Sequence, residues 1–275
     1  HRVRPQAGRS AGSERRDLTA VDFGSLADRV VLVTGGGGHI GGAVVQAFLG
    51  LGSRVAVVDL DAGEQSDDQR LDLTVDLSDL DAAADVPSAV VDHFGRLDVI
   101  VAAAAVVAHG ASHAAGWNVP FEKQDAGLWS SALDVNLTAN FALAQAAAGP
   151  LAAHGVGSIV LVSSQYGFLA PQTAMYEGTG LQNVAGYVVS KAGLTQLARW
   201  LSTTLAPDVR VNSVSPGGIA RDQPDAFVSR YEARTPLGRM GEELDVVGPV
   251  LFLASDLSRY VTGHDLVVDG GFSAW

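Results

Sequence analysis

Short apolar runs alternate with amphipathic stretches along most of this chain. Val30-Val31-Leu32-Val33, Val55-Ala56-Val57-Val58, Leu97-Asp98-Val99-Ile100-Val101 and Ile159-Val160-Leu161-Val162 have the length and β-branched content of strands buried on both faces of a parallel sheet. Three more strands are expected at Asp72–Asp76, Val209–Val214 and Asp265–Gly271. Helical periodicity falls between them, over Ala43–Leu51, Ala82–Phe94, Gly127–His154, Ala185–Leu205 and Leu244–Leu253. Strands that alternate with helices predict an α/β fold built on a doubly wound parallel sheet. Residues 106–126 read as loop, and Ala220–Gly241 as a polar, Pro-broken segment without an element. The stretch from His1 to Arg16 is rich in Arg, Gly and Ser and has no apolar centre, so a flexible tail is expected over 1–27 and a single domain over 28–275.

The first strand runs straight into Thr34-Gly35-Gly36-Gly37-Gly38-His39-Ile40-Gly41-Gly42, then a helix, then a second strand ending in Asp59. Strand, glycine turn, helix, strand, acid is the order in which a backbone approaches a dinucleotide pyrophosphate. Unpaired N–H groups at the helix N-terminus favour the negative charge. This makes Gly35, Gly38, His39, Ile40 and Gly41 cofactor-binding candidates. Asp59, eighteen positions past Gly41, is placed to accept from the adenosine ribose hydroxyls. Because a carboxylate there repels a 2′-phosphate, NAD is expected over NADP. Asp76 and Leu77, at the end of the third strand, suit the adenine edge. Ala103 and Ala104, within Ala102–Ala105, are small enough to let a cofactor lie against the fourth strand.

Composition narrows the picture. The 275 residues are 47% hydrophobic and carry a net charge of −12, which argues against nucleic acid or an anionic membrane as partner. No apolar run is long enough to span a bilayer, and cytoplasm is the expected compartment. The absence of cysteine removes thiol catalysis and Cys-ligated metals. His109 and His113 have no acidic third partner nearby in sequence, so no metal is expected; His109 and Trp117 are read instead as substrate-facing candidates.

Tyr187 and Lys191 stand at i and i+4 in the expected helix Ala185–Leu205, one turn apart on a shared face. An ammonium near a phenol favours the phenolate, so this pair is a candidate acid/base. Asn136, an amide in an apolar helical stretch, needs a partner. Ser163-Ser164 ends the fifth strand, at the sheet edge where ligands bind in doubly wound folds.

Taken in order, Thr34-Gly35 through Gly41, Asn136, Ser164, Tyr187-x-x-x-Lys191, Pro216-Gly217 and Val268-Asp269-Gly270-Gly271 resemble the single-domain short-chain dehydrogenase/reductases, over roughly residues 28 to 275. The resemblance implies a Rossmann-type parallel sheet of about seven strands with helices on both faces. It also implies an NAD(P)-dependent oxidoreductase that passes a hydride between nicotinamide and a small-molecule secondary alcohol or ketone. Tyr187 would be the acid/base, and Lys191 would lower its pKa and bind the nicotinamide ribose. Ser164 would orient the substrate oxygen, and Asn136 would support a water path to Lys191. Pro216, Gly217 and Ile219 would line the nicotinamide. A homodimer or homotetramer is implied, paired through the long helices carrying Asn136 and Tyr187.

The chain departs from the family pattern in three places. His39 stands where the pattern T-G-x-x-x-G-x-G has its middle glycine, and Gly38 gives T-G-x-x-G-x-x-G instead. Ala102–Ala105 replaces the usual Asn-Asn-Ala-Gly. Ser164 and Tyr187 are twenty-three residues apart, more than in most relatives, which leaves a long loop beside the active site. Its Gln165, Tyr166, Tyr176 and Glu177 are substrate candidates. Tyr166-Gly167, Pro171 and Tyr176-Glu177-Gly178-Thr179 look similar to a branch linked to surface-polysaccharide and sialic- or legionaminic-type sugar biosynthesis. The substrate reading is therefore a sugar, polyol or sugar derivative. Reduction of an apolar or acyl ketone, and a non-catalytic NAD-binding regulator on the same fold, are the alternatives.

Overall fold

Each apolar run becomes a strand that cannot face water on either side, and the strands lie side by side in one sheet. The computed structural model describes residues 22–106 and 119–275; residues 1–21 of the tail expected over 1–27 and the candidates His109, His113 and Trp117 lie outside the described residues. The strands are β1 (Val30–Thr34), β2 (Arg54–Asp59), β3 (Arg70–Thr74), β4 (Val99–Ala102), β5 (Gly157–Val162), β6 (Val209–Pro216) and β7 (Asp265–Val268). They are parallel throughout, in the order β3-β2-β1-β4-β5-β6-β7. The chain passes from β3 across to β4 on the other side of β1. That switch point opens a crevice at the C-terminal ends of β1 and β4, where an open α/β sheet takes its ligands.

Seven helices cover the two faces among the described residues: α1 (His39–Gly50), α2 (Leu80–Phe94), α3 (Ala126–Leu133), α4 (Ala139–Ala152), α5 (Ala185–Thr204), α6 (Asp225–Arg234) and α7 (Glu243–Ala254). Strand side chains alternate between two cores. Leu32, Ile100, Ile159 and Leu161 pack with α2, α4 and α5. Val33, Val57, Val101 and Val160, on the opposite face, pack with α1 and α7.

Four expectations are corrected here. The third strand starts and stops two residues earlier than expected, because the Asp67 carboxylate accepts from the Gln69 and Arg70 N–H groups and turns the chain into β3 at Arg70. The helix expected over Gly127–His154 is interrupted by one wide π turn, Asp134–Thr138, between α3 and α4. The segment 220–241 holds a helix: α6 buries Phe227 and Tyr231, one turn apart, with its other positions exposed or half-buried. Packing also reaches ahead of residue 28, since a helical turn at Gly24–Leu26 seats Leu26 in the core at 1% exposure. No helix among the described residues is long and apolar enough to cross a membrane.

Candidate active site

The glycine turn is held by two close approaches of backbone to backbone. Gly35 sits at φ +69°, and a Cβ there would lie 2.6 Å from the Ala104 backbone; a Cβ on Gly41 would lie 2.0 Å from the Gly35 carbonyl oxygen. No side chain fits at either position. Gly38 caps α1 in an extended conformation, and its φ of −79° requires no glycine. His39, the departure from the family pattern, is the first residue of α1 and points outward, 3.7 Å from Glu243, which also pairs with Arg221 at 2.7 Å. The cradle therefore survives the substitution: its tight points are Gly35 and Gly41, and a bare backbone faces the helix N-terminus between them.

Asp59 closes the turn from the end of β2. Its carboxylate accepts from the Gly37 N–H at 3.0 Å and the Leu60 N–H at 2.8 Å, which fixes it beside the cradle. Ala103 and Ala104 cross over Gly35 and are tied to Thr34, whose carbonyl accepts from the Ala103 N–H and whose hydroxyl accepts from that of Ala104. Buried Thr34 thus supplies side-chain anchoring that the alanines lack. Asp76 lies beyond β3 with one carboxylate oxygen taken by the backbone and hydroxyl of Ser78, which holds its carboxyl below the usual range. Leu77 is buried in the core. Pro216 ends β6, Gly217 and Ile219 follow it, and Ile219 is bridged to Gly241. A flat dinucleotide fits this donor set: glycine cradle, small-residue floor and anchored carboxylate.

The candidate acid/base pair lies on α5. Tyr187 is half-buried, and the Ser164 hydroxyl is its hydrogen-bond partner. Ser164 begins the helical turn after β5 and also accepts from the Tyr166 N–H at 3.2 Å. Its neighbour Ser163 points the other way and donates to the Lys191 carbonyl at 2.8 Å, so Ser163 anchors the loop to α5 and Ser164 faces the tyrosine. The Lys191 ammonium, 3% exposed, donates to the Val162 carbonyl at 2.7 Å and lies 5.7 Å from the Tyr187 ring centroid. Burial pulls Lys191 down from 10.5 to about 8.

The lowered tyrosine pKa expected from the Lys191 pairing is not a property of the protein alone. Burial pushes the Tyr187 phenol up, the Ser164 hydrogen bond opposes that rise, and Tyr176 adds to it. The physical reason is that desolvation of the phenol outweighs its one hydrogen bond, while the Lys191 ammonium is engaged by the Val162 carbonyl.

Asn136 lies in the π turn, wholly buried. Its side chain accepts from the Val106 N–H at 2.7 Å, donates to the Val106 carbonyl at 3.2 Å and donates to the Ser190 hydroxyl at 3.0 Å. It therefore clamps the chain leaving β4 to α5, one residue from Lys191. Its own carbonyl accepts from the Asn140 amide at 2.8 Å.

The loop before α5 brings tyrosines together. The Tyr166 and Tyr176 hydroxyls meet at 2.5 Å, and Asn183 donates to the latter at 3.4 Å. Gln165 is buried, its side-chain oxygen accepting from Tyr231 at 3.0 Å, and exposed Glu177 is held through its carbonyl by Arg230 at 2.6 Å. Sequence reading passed over Val162, Ser190 and Tyr231. The first acts through its backbone, and nothing in sequence marks it. A signal for α6 was present in Pro224-Asp225, a helix start, and in Arg234, which suits a final turn.

A dinucleotide cradle that leads to a paired serine and tyrosine with a buried lysine defines a hydride-transfer site. Residues 37–273 match the family model described as enoyl-(acyl carrier protein) reductase. The chain is 32% identical to the sorbose reductase of Schizosaccharomyces pombe, covering 90% of this chain and 97% of that protein. It is 34% identical to a probable galactose dehydrogenase of Rhizobium meliloti, covering 92% and 98%. Among solved structures, a short-chain dehydrogenase from Leptospira borgpetersenii with bound NAD+ superposes with a TM-score of 0.81 at 28% identity, covering 99% of this chain and all of that one. The chain belongs to the short-chain dehydrogenase/reductase family. It is an oxidoreductase that moves a hydride between a nicotinamide dinucleotide and a secondary alcohol or ketone.

Proposed function

We propose that the cofactor is NAD and the substrate a polyhydroxylated secondary alcohol, a sugar or polyol, that is oxidised reversibly to the ketone or lactone level. The observation that carries the substrate reading is the cluster of Tyr166, Tyr176 and Asn183 polar groups in the loop that leads into Tyr187. Such groups can exchange hydrogen bonds with several substrate hydroxyls, whereas an apolar ketone offers them no partner beyond one another. The sugar-acting relatives support the same choice. For the cofactor, the support is Asp59, fixed by two backbone N–H groups where an adenosine ribose would lie.

In the oxidative direction Tyr187, as phenolate, takes the proton from the substrate hydroxyl while the carbon–hydrogen bond breaks. Ser164 holds the substrate oxygen and opposes its misorientation. A bound nicotinamide would supply the hydride acceptor for oxidation and the hydride donor for reduction. Lys191 holds positive charge beside the tyrosine as the phenolate forms, while Asn136 keeps α5 in register with β4.

A homodimer or homotetramer formed through the outer faces of α4 and α5 is part of this reading. Phe141 and Trp200 are 40% and 51% exposed with ring centroids 6.4 Å apart, and Val189 adds to the apolar face. Sedimentation of wild type and Trp200→Glu tests it; a monomer in the wild type overturns it.

The activity test is nicotinamide absorbance with NAD+ or NADP+ against sugars, polyols, cyclohexanol and an acyl ketone run in reverse. Turnover with sugars or polyols and NAD+ is expected. Activity confined to the apolar compounds, or to NADP+, overturns the reading.

A further inference from the structure

We propose that Tyr231, on α6, is a positioning residue that couples the glycine loop after β6 to the loop after β5, so that a dinucleotide seated on the first orders the second. The inference rests on the cofactor reading above and concerns a residue outside the serine, tyrosine and lysine group.

The Tyr231 hydroxyl touches both loops at once. It accepts from the Gly218 N–H at 2.5 Å and donates to the Gln165 side-chain oxygen at 3.0 Å. Gln165 directly follows Ser164, so the path from the nicotinamide-side glycines to the substrate-orienting hydroxyl is one phenol, one amide and one peptide bond. Two glycines make the contact possible: a Cβ on Gly217 would lie 2.7 Å from the Tyr231 hydroxyl, and one on Gly218 would lie 2.9 Å from its ring. The ring, 2% exposed, is stacked on Phe272 with centroids 4.6 Å apart and planes 20° apart, so the hydroxyl has little freedom to leave.

The rest of α6 grips the same loop. Arg230 donates to the carbonyls of Ala174, Met175 and Glu177 at 3.3, 3.3 and 2.6 Å, and Phe227 lies 5.5 Å from the Tyr176 ring. At the far end of the helix, Trp275 donates to the Arg234 carbonyl at 3.0 Å, and the Arg234 guanidinium sits 4.9 Å over Phe272. Burial also pushes the Tyr231 phenol up to about 12, so it keeps the proton that Gln165 accepts. A helix held at its end and bonded to both loops has the mechanical form of a coupling element: a change at either loop is felt at the other.

Amide hydrogen exchange of the full chain, with and without saturating NAD+, reads the coupling without turnover. In the wild type, NAD+ is expected to slow exchange both in 216–221 and in 165–178. Tyr231→Phe keeps the ring stack and removes the hydroxyl; protection of 216–221 by NAD+ persists, while that of 165–178 falls by about tenfold, within the usual range of coupling between sites. Gln165→Leu, which breaks the path from the other side and leaves Tyr231 in place, is expected to give the same split and stands in should Tyr231→Phe fold poorly. Equal protection of 165–178 in wild type and variant overturns the link, as does a wild type in which NAD+ protects 216–221 alone. A wild type that NAD+ protects nowhere instead overturns the cofactor reading beneath it.

Discussion

The Lys191 ammonium donates to the Val162 carbonyl oxygen at 2.7 Å, and this bond fastens the middle of α5 to the end of the strand that delivers Ser164. The cost of burying it should be visible as a pH dependence of stability. Lys191 falls from 10.5 to about 8 on folding, so the unfolded chain binds the extra proton between those values. The penalty is full below pH 8 and is relieved as pH rises, by roughly 3 kcal/mol over the whole window. Tyr166, Tyr187 and Tyr231 are raised from 10.0, so their opposing effect begins only above about pH 10. Denaturant midpoints should therefore climb from pH 8 to 10 in the wild type and stay flat in Lys191→Met. A flat wild-type profile would show that folding leaves the Lys191 pKa at its unfolded value.

Tyr187→Phe removes the hydroxyl proposed to transfer the proton and leaves the ring and the glycine cradle intact. Its kcat should fall about a hundredfold to ten-thousandfold, while NADH affinity stays within about twofold. Stopped-flow turnover and fluorescence titration separate the two quantities. Substantial residual turnover would take the acid/base role away from this residue.

Asp59→Ser removes a negative charge from the adenosine end. The ratio of NADPH to NADH affinity should rise roughly tenfold or more, since the repulsion of a 2′-phosphate disappears with the carboxylate. An unchanged ratio would mean that discrimination lies elsewhere. Some stability should also be lost, because the Gly37 and Leu60 N–H groups lose their acceptor.

Asn136→Ala breaks three hydrogen bonds made by one buried side chain and strands both polar groups of Val106. A loss of about 2 kcal/mol or more is expected in denaturant unfolding. A near-neutral change would mean that α5 and the chain after β4 hold each other by packing alone.

The sheet was legible in the sequence because strands buried on both faces are nearly continuously apolar, and four such runs set an alternation with helices into which the three mixed strands fell. Boundaries were less so: β3 is set by the Asp67 turn, a local side-chain bond that competes with periodicity. The segment 220–241 hid α6 because Phe227 and Tyr231 are the only fully buried residues of that helix, too few for an amphipathic stripe. Of the site, Ser164, Tyr187 and Lys191 could be named from spacing and resemblance. Their electrostatics could not, since whether Lys191 lowers the tyrosine pKa depends on which oxygen its ammonium reaches. Gln165 shows the same limit from the other side: a polar loop residue reads as a ligand contact, and only the fold reveals that Tyr231 has claimed it.

The π turn at Asp134–Thr138 works as a phase shifter in the chain from α3 to α4. A wide turn carries one residue more than an α-helical turn, and each residue is worth about 100° of rotation. The stretch before it can thus aim Ala132 at Gly186 on α5, while the stretch after it aims Leu143, Ala147 and Leu151 at the sheet and α2. Two neighbours with incompatible angular demands are served by one run of chain, and Asn136 occupies the splice. Deleting a single residue from this turn would straighten the helix and force it to choose between them.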